Sequence, residues 1–398
     1  MPEAILGDRT EDLLTAASGR SDVPPFMVMD VMAAASRIEA GGGHVIHMEV
    51  GQPAASAPKT AILAAHAALD AGRIDYTSAL GTPSLRKRIA RHYRESYGVT
   101  VDSARIVVTT GSSGGFILAF LAMFEPGDRV AVTIPGYPPY RHILTALGCE
   151  PVLIETSSET RHALTGEVLL AAHRRAPLKG VLIGSPANPT GTMMSREALS
   201  GLISAAESAG IRFISDEIYH GLDYAFPAVT AAELSTRALV INSFSKYFCM
   251  TGWRVGWMVV PEPLVRPIER LQQNLAISVP TLSQIAAEAA FDGGAEMEEI
   301  KRGYLENRRI LIEGLPRAGL TKFLPADGAF YLYADVSDFT SDSLKFAAEM
   351  LEKARVAATP GVDFDPVHGR QFIRFSYARS AEEMREAVER IARWLNGR

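Results

Sequence analysis

Cysteine is nearly missing from this chain of 398 residues: Cys149 and Cys249 are the only two. They cannot form a disulfide framework and show no metal-ligand spacing. The nine histidines are scattered, none paired with another at metal spacing, so no metal is expected. Long apolar runs are missing too. The longest, "FILAFLAMF" (116–124), is far short of the roughly 20 residues that cross a bilayer. No run of five like charges occurs, and the net charge is −5. Nucleic acid and anionic membrane surfaces both require concentrated Lys and Arg, so neither is an expected partner. The opening "MPEAILGDRTEDLL" has neither the basic start nor the continuous apolar core of a signal peptide, and a reducing cytoplasm is expected. Internal repeats and low-complexity linkers are absent.

What is there is an ordinary globular composition, 47% apolar and 21% charged, with length enough for two or three domains and a large core. After a polar start, "PPF" (24–26) leads into a helix that runs to about residue 40 and stops at "GGGH" (41–44). From about 45 to 290, short β-branched runs alternate with helical stretches, the pattern of a parallel sheet with crossover helices. The strand candidates are "RIVVT" (105–109), "RVAVTI" (129–134), "PVLIE" (151–155), "GVLIGS" (180–185), "RFISD" (212–216), "LVIN" (239–242) and "VGWMVV" (255–260). Near-continuous apolar strands imply that both sheet faces are covered. Beyond 290 the pattern changes to a charged amphipathic helix (about 295–318), "GAFYLYADV" (328–336), a helix (342–354), "QFIRFSY" (371–377) and a last helix (380–396). The expected fold is α/β, a large doubly wound, mostly parallel sheet domain (46–290) with a smaller α/β C-terminal domain (291–398). An N-terminal segment (1–45) is expected to pack on the small domain and the site.

Ligands of open α/β sheets bind beyond the carboxyl ends of the strands. There the sequence places "TTGSSGGF" (109–116), a Gly/Ser turn entering a helix, where backbone N–H groups with Ser112 and Ser113 can cradle a phosphate. It lacks the Gly-Lys-Ser/Thr ending of a P-loop, and tight turns use the same residues. "PGYPPY" (135–140) sets Tyr137 where its ring can stack on a planar ligand or simply pack. "SPANPTG" (185–191) holds Asn188 between prolines, in a place that also suits an Asx-turn. In "SDEIY" (215–219), Asp216 ends a buried strand and therefore needs a cation, hydrogen bonds or a capping role, with Tyr219 a helical turn on. In "NSFSKYFCMTGWRVGW" (242–257), Lys246 follows a buried strand in a setting that lowers its pKa, and Arg254 suits a bidentate phosphate pair.

Taken in order, "VGQP" (50–53), "PGYPPY", "SPANPTG", "SDEIY", "SFSKYFCMTGWRVGW" and "RFSYA" (374–378) resemble class I/II aminotransferases, the pyridoxal-phosphate enzymes related to aspartate aminotransferase. The resemblance covers nearly the whole chain and implies the aspartate aminotransferase fold with pyridoxal 5'-phosphate as cofactor. It implies that Lys246 joins the cofactor and moves the proton of the substrate Cα. Asp216 would keep the ring nitrogen protonated, Asn188 and Tyr219 would bind the phenolic oxygen, and Tyr137 would stack on the ring. Ser112, Ser113, Gly114, Ser243 and Arg254 would hold the phosphate, with Ser245 beside them. Arg374 would clamp the substrate α-carboxylate, with the backbone of Gly51 as its second contact. Tyr76, in "DYTSALGTPSLR" (75–86), matches a tyrosine that reaches a partner's cofactor phosphate, which implies a homodimer with sites at the interface.

The activity so implied is transfer of the amino group of an L-amino acid to a 2-oxo acid by a ping-pong mechanism. Some aspartate aminotransferases of this kind place a lysine for the distal carboxylate where this chain has Ser113, so a neutral, aromatic or broad donor range stands beside aspartate. The same fold and cofactor also serve C–S lyases resembling cystathionine β-lyase, and non-catalytic regulators, which usually carry an extra DNA-binding domain.

Overall fold

Seven of the apolar runs lie side by side in one sheet of the computed structural model, which describes residues 15–72 and 74–397. Residues 1–14 of the expected N-terminal segment fall outside the described residues. The strands are β1 (Ile106–Thr109), β2 (Arg129–Ile134), β3 (Glu150–Glu155), β4 (Gly180–Gly184), β5 (Arg212–Asp216), β6 (Leu239–Ser243) and β7 (Gly256–Val259). Their spatial order is β1-β7-β6-β5-β4-β2-β3. Strands β2 to β6 run parallel, whereas β7 is antiparallel to both its neighbours. The link from β6 to β7, residues 244–255, holds a single 3-10 turn (Thr251–Trp253) in place of a crossover helix, so the chain re-enters from the edge it left.

Alternation explains the continuous apolar runs. Val108, Ala131, Val181, Phe213, Val240 and Trp257 join a core on one face of the sheet. Val107, Val132, Leu182, Ile214, Ile241 and Met258 join a second core on the other. The inner strands bury both sets of side chains under helices, leaving only their ends for polar work, whereas the edge strand β3 buries Ile154 and leaves Leu153 exposed.

A second, antiparallel sheet is built from β8 (Lys322–Phe323), β9 (Tyr331–Asp335), β10 (Thr359–Pro360) and β11 (Phe372–Ser376), in the order β10-β11-β9-β8. The long helix Gly294–Gly314 and the last helix Ala381–Asn396, which starts with a Ser380/Glu383 capping box, pack together beside it. The expected helix 295–318 tightens into a 3-10 turn at Leu315–Ala318, where Pro316 has no N–H to donate. The expected helix 342–354 is α-helical over Ser343–Glu349 and closes in a π turn. The N-terminal side of the chain joins this second sheet's layer. Ile46–His47 pair in parallel with Val356–Ala357, and helix Met27–Ala40 buries Ala35 in a small cluster with Val45, Leu351 and Ala357. Among the described residues, no helix is long and apolar enough to cross a membrane.

Trp257 is fully buried, and its indole N–H donates to the Tyr93 hydroxyl at 3.2 Å. Trp257→Ala is expected to cost about 3–5 kcal/mol, read as a lower urea midpoint with no change in slope. A loss below about 1 kcal/mol would mean that the two cores do not depend on this strand.

Candidate active site

Five strands, β1, β2, β4, β5 and β6, end at one edge of the large sheet, and each passes into a turn that carries site residues. Beyond β1, helix α1 (Gly111–Met123) starts with its amides facing the edge. Gly111 has φ +68°, and a Cβ there would lie 2.5 Å from Arg254 Nη2. A Cβ on Gly256 would meet the Asn242 carbonyl at 2.7 Å and Ser112 N at 3.1 Å. Only glycine permits these approaches, which bring the helix start and Arg254 together. The Arg254 guanidinium is exposed, donates to the Thr251 carbonyl at 2.9 Å, and joins no salt bridge among the described residues. Ser112 is half-buried, Gly114 lies in the same first turn, and Ser113 faces solvent. Ser243 and Ser245 are buried, their hydroxyls 2.8 Å apart. A helix N-terminus, a free guanidinium and nearby hydroxyls make a site for a phosphate dianion.

At the end of β5, Asp216 is 3% exposed and forms no salt bridge among the described residues. The Tyr140 hydroxyl donates to one carboxylate oxygen and the Ile218 N–H to the other at 3.1 Å. Burial pushes its pKa up to about 6, against the lowering effect of both hydrogen bonds and of the Lys246 charge. Lys246, in the link after β6, donates to the Gly51 carbonyl at 2.5 Å and lies 5.8 Å from the Tyr219 ring centre. Burial, then the charges of Arg374 and Arg254, bring its pKa down to about 8, with Asp216 opposing. Roughly a tenth of the amine is then neutral at pH 7, against less than a thousandth for an ordinary lysine.

Arg374, on β11, is 1% exposed. Its Nη1 donates to Asn188 Oδ1 at 2.9 Å, and its Nη2 to the Glu49 carbonyl and to Thr359 Oγ1. The guanidinium lies between the rings of Tyr331 (4.4 Å) and Phe364 (4.6 Å), and Nε is buried without a partner. It pairs with no carboxylate among the described residues. A buried arginine in that state is poised for an anionic ligand. Tyr331 also shares a hydrogen bond with Tyr219 (2.8 Å), and its hydroxyl lies so close to Gly51 that a Cβ there would stand 1.8 Å away. Tyr137 is half-buried, edge-on to Phe26 (centroids 5.9 Å) and to Tyr140 (5.2 Å), and burial pushes its hydroxyl pKa up.

Lys246, Asp216, Tyr219, Asn188, Tyr137, Gly51, Arg374 and Arg254 thus line one crevice, with Ser112, Gly114, Ser243 and Ser245 at its anion end. Tyr76 stands apart at 81% exposure. Tyr140, Tyr331, Phe364 and Phe26 also belong to the crevice, although the sequence did not single them out. Tyr140 sits three residues after Tyr137 at the start of helix Pro138–Ala146, a spacing that sets both rings on one helix end. Tyr331 is two positions from Tyr333, the residue paired with Arg374, so it shares the arginine's face.

These two charges should each contribute to the pH dependence of the unliganded protein, beside the buried carboxyls of Glu217 and Asp363. Between its ordinary 3.8 and about 6, the native Asp216 carboxyl holds more protons than the unfolded one, so its burial penalty grows over that range and is complete above it. Asp216→Asn should therefore gain stability relative to wild type as pH rises from 4 to 6, by on the order of 3 kcal/mol at pH 7. The native Lys246 amine holds fewer protons than the unfolded one between about 8 and 10.5, so its penalty is complete below 8 and fades above. The advantage of Lys246→Met should shrink over that window. Urea denaturation of each variant across pH checks both, and flat differences would refute the burial of these charges.

Residues 43–391 match the family described as aminotransferase class I and II. A valine–pyruvate aminotransferase of Mycobacterium tuberculosis is 48% identical over 380 residues, spanning 94% of this chain and 97% of that one. A crystal structure of an aminotransferase from Mycobacterium tuberculosis superposes with a TM-score of 0.94 at 47% identity, covering 96% of this chain and 100% of the other. Thermus thermophilus aspartate aminotransferase with maleate gives 0.89 at 31% identity, covering 95% and 99%. With strand-end turns, a buried amine and an unpaired arginine arranged as described, the chain belongs to the class I and II aminotransferases, which pass an amino group between amino and 2-oxo acids.

Proposed function

We propose that this aminotransferase takes the amino group from an apolar, monocarboxylic L-amino acid and passes it to a small 2-oxo acid in two alternating half-reactions at one site. The observation that carries this reading is the number of free cations in the crevice. The charges bearing on Lys246 are Arg374, Arg254 and Asp216. Arg374 suits one substrate carboxylate and Arg254 the phosphate, which leaves no further cation bearing on Lys246 among the described residues for a distal carboxylate. Ser113 in place of a lysine, the rings of Phe26 and Tyr137, and the valine–pyruvate activity named for the Mycobacterium tuberculosis relative all support an apolar donor.

The family uses pyridoxal phosphate, and the residues present fit it. The glycine-lined approach at Gly111 and Gly256, the unpaired Arg254, and the orphaned Arg374 Nε form a cradle with two anion positions. Ser112, Gly114, Ser243 and Arg254 would hold the phosphate, with Ser113 and Ser245 at its margin. Asn188 and Tyr219 would hold the phenolic oxygen, Tyr137 the ring face, and Asp216 the proton on the ring nitrogen. When bound, the cofactor supplies an aldehyde for the amino group and a ring that takes up the electron pair left at the substrate Cα. Arg374 orients the substrate carboxylate as a planar fork, and the Gly51 backbone flanks it. Lys246 Nζ, released from the Gly51 carbonyl, would carry the proton from the donor's Cα to the cofactor's aldehyde carbon, and in the second half-reaction from that carbon to the Cα of the new amino acid. Phe26 and Tyr137 exclude water from the mouth. The N-terminal segment expected over 1–45, from residue 15 on, the large part (46–290) and the small part (291–398) are proposed to meet around this crevice.

The same reading makes the protein a homodimer. Tyr76 lies on an exposed surface with Ile74, Leu275 and Ile277, where the Thr77 N–H donates to Ser278 Oγ at 3.4 Å and joins the two loops. Exposed apolar clusters of this kind mark protein interfaces. Two free cysteines accord with a cytoplasmic setting.

Given pyruvate as acceptor, valine or leucine should be preferred to aspartate in kcat/KM by on the order of a hundredfold, as judged in a donor panel. Equal use of aspartate would overturn the donor assignment. Tyr76→Phe should weaken cofactor affinity by about tenfold through loss of a hydrogen bond to a charged group, while light scattering still reports twice the 43.0 kDa chain mass. A fully active monomer would refute the role of Tyr76.

A further inference from the structure

We propose that Asp363 is a positioning residue for donor recognition, capping helix Met27–Ala40 from the far end of the sequence and thereby holding Phe26 against Tyr137 at the mouth of the crevice. The inference rests on the apolar-donor reading above. Helix starts favour Ser, Thr, Asp or Asn at the N-cap, where the side chain bonds the first free amides. Here that position is Phe26, which gives no side-chain cap. The missing acceptor is Asp363, 336 residues away, whose Oδ1 takes the Met27 N–H at 3.5 Å, with the Val28 N–H also directed to the carboxylate. The local position is thereby free for an aromatic ring, and that ring sits edge-on to Tyr137, 5.9 Å between centroids.

Asp363 is itself held from several sides. It is 2% exposed, and its carbonyl accepts from Arg141 Nη2 at 2.5 Å. The next residue, Phe364, lies against the Arg374 guanidinium, and its carbonyl accepts the Gly136 N–H at 3.1 Å beside Tyr137. One short turn therefore touches the arginine suited to the substrate carboxylate, the loop of the stacking tyrosine, and the helix that presents Phe26. The second carboxylate oxygen is buried without a partner, so the group is not placed there by its own ion pair. A displaced cap would release Phe26 from the mouth while leaving Lys246, Asp216 and Arg254 as they are.

The test is a kinetic cycle on the holoenzyme with valine, leucine and alanine as donors and pyruvate or 2-oxoglutarate as acceptor. Asp363→Ala should raise KM for valine and leucine about tenfold, with kcat within about twofold and the KM of alanine little changed. Asp363→Asn, which keeps the acceptor, should restore wild-type KM values. Because Asp363 acts through Phe26, the double variant with Phe26→Ala should be no worse than Phe26→Ala alone. Should Asp363→Ala fail to fold, Asp363→Ser runs the same cycle with a shorter cap. Additive losses in the double variant, or equal losses for Ala and Asn with every donor, would overturn the proposal, the latter by making Asp363 a counter-charge to Arg374. A wild-type preference for dicarboxylic donors overturns the donor reading and this inference together. A clear apolar preference with unaltered KM in Asp363→Ala overturns this inference alone.

Discussion

Lys246 shares its crevice with Arg374 and Arg254, and their repulsion adds to the loss of water in holding its amine short of full charge. That balance survives only while the neighbouring acid does not collapse onto the amine. Asp216 is kept from doing so by its own hydrogen bonds to Tyr140 and Ile218, which occupy both carboxylate oxygens. Four charged groups thus meet in one crevice, Asp216 and Arg374 buried and Arg254 exposed, with no salt bridge among them. Each is left free for the ligand that would complete it, at a cost in stability that the rest of the fold must offset.

The offset comes from the surroundings. Two apolar cores clamp the sheet from both faces, so the strand ends have little freedom to relax toward one another. Rings then replace water around the cations, with Tyr331 and Phe364 on either side of Arg374 and Tyr219 below Lys246. Glycine does the remainder where atoms approach too closely for any side chain, at Gly51 against Tyr331 and at Gly111 against Arg254.

Much of this was legible in the sequence because it is local. The strands β2 and β5 stand where their apolar runs begin and end, and Lys246 and Asp216 each adjoin the strand that positions them. Other features depend on contacts between distant segments. The reversed direction of β7 follows from a short link whose lack of a helix is hard to see among its aromatics. Tyr331 belongs to the crevice because of the register between β9 and β11, which composition does not encode. Asp363 and the Met27 amide meet across nearly the whole chain, and no periodicity joins them.

The antiparallel turn between β6 and β7 has a consequence for how errors are caught. Ser243 faces Gly256 and Asn242 faces Trp257 across the ladder, so the loop carrying Lys246 and Arg254 is pinned at both feet to adjacent rungs. A one-residue slip of β7 would turn Trp257 out of one core and Met258 out of the other, two large mismatches for a shift of a few ångströms. The hydrophobic layers therefore act as a ruler for the loop. A chain that misplaces the two cations relative to each other also fails to pack, and folding itself proofreads the site.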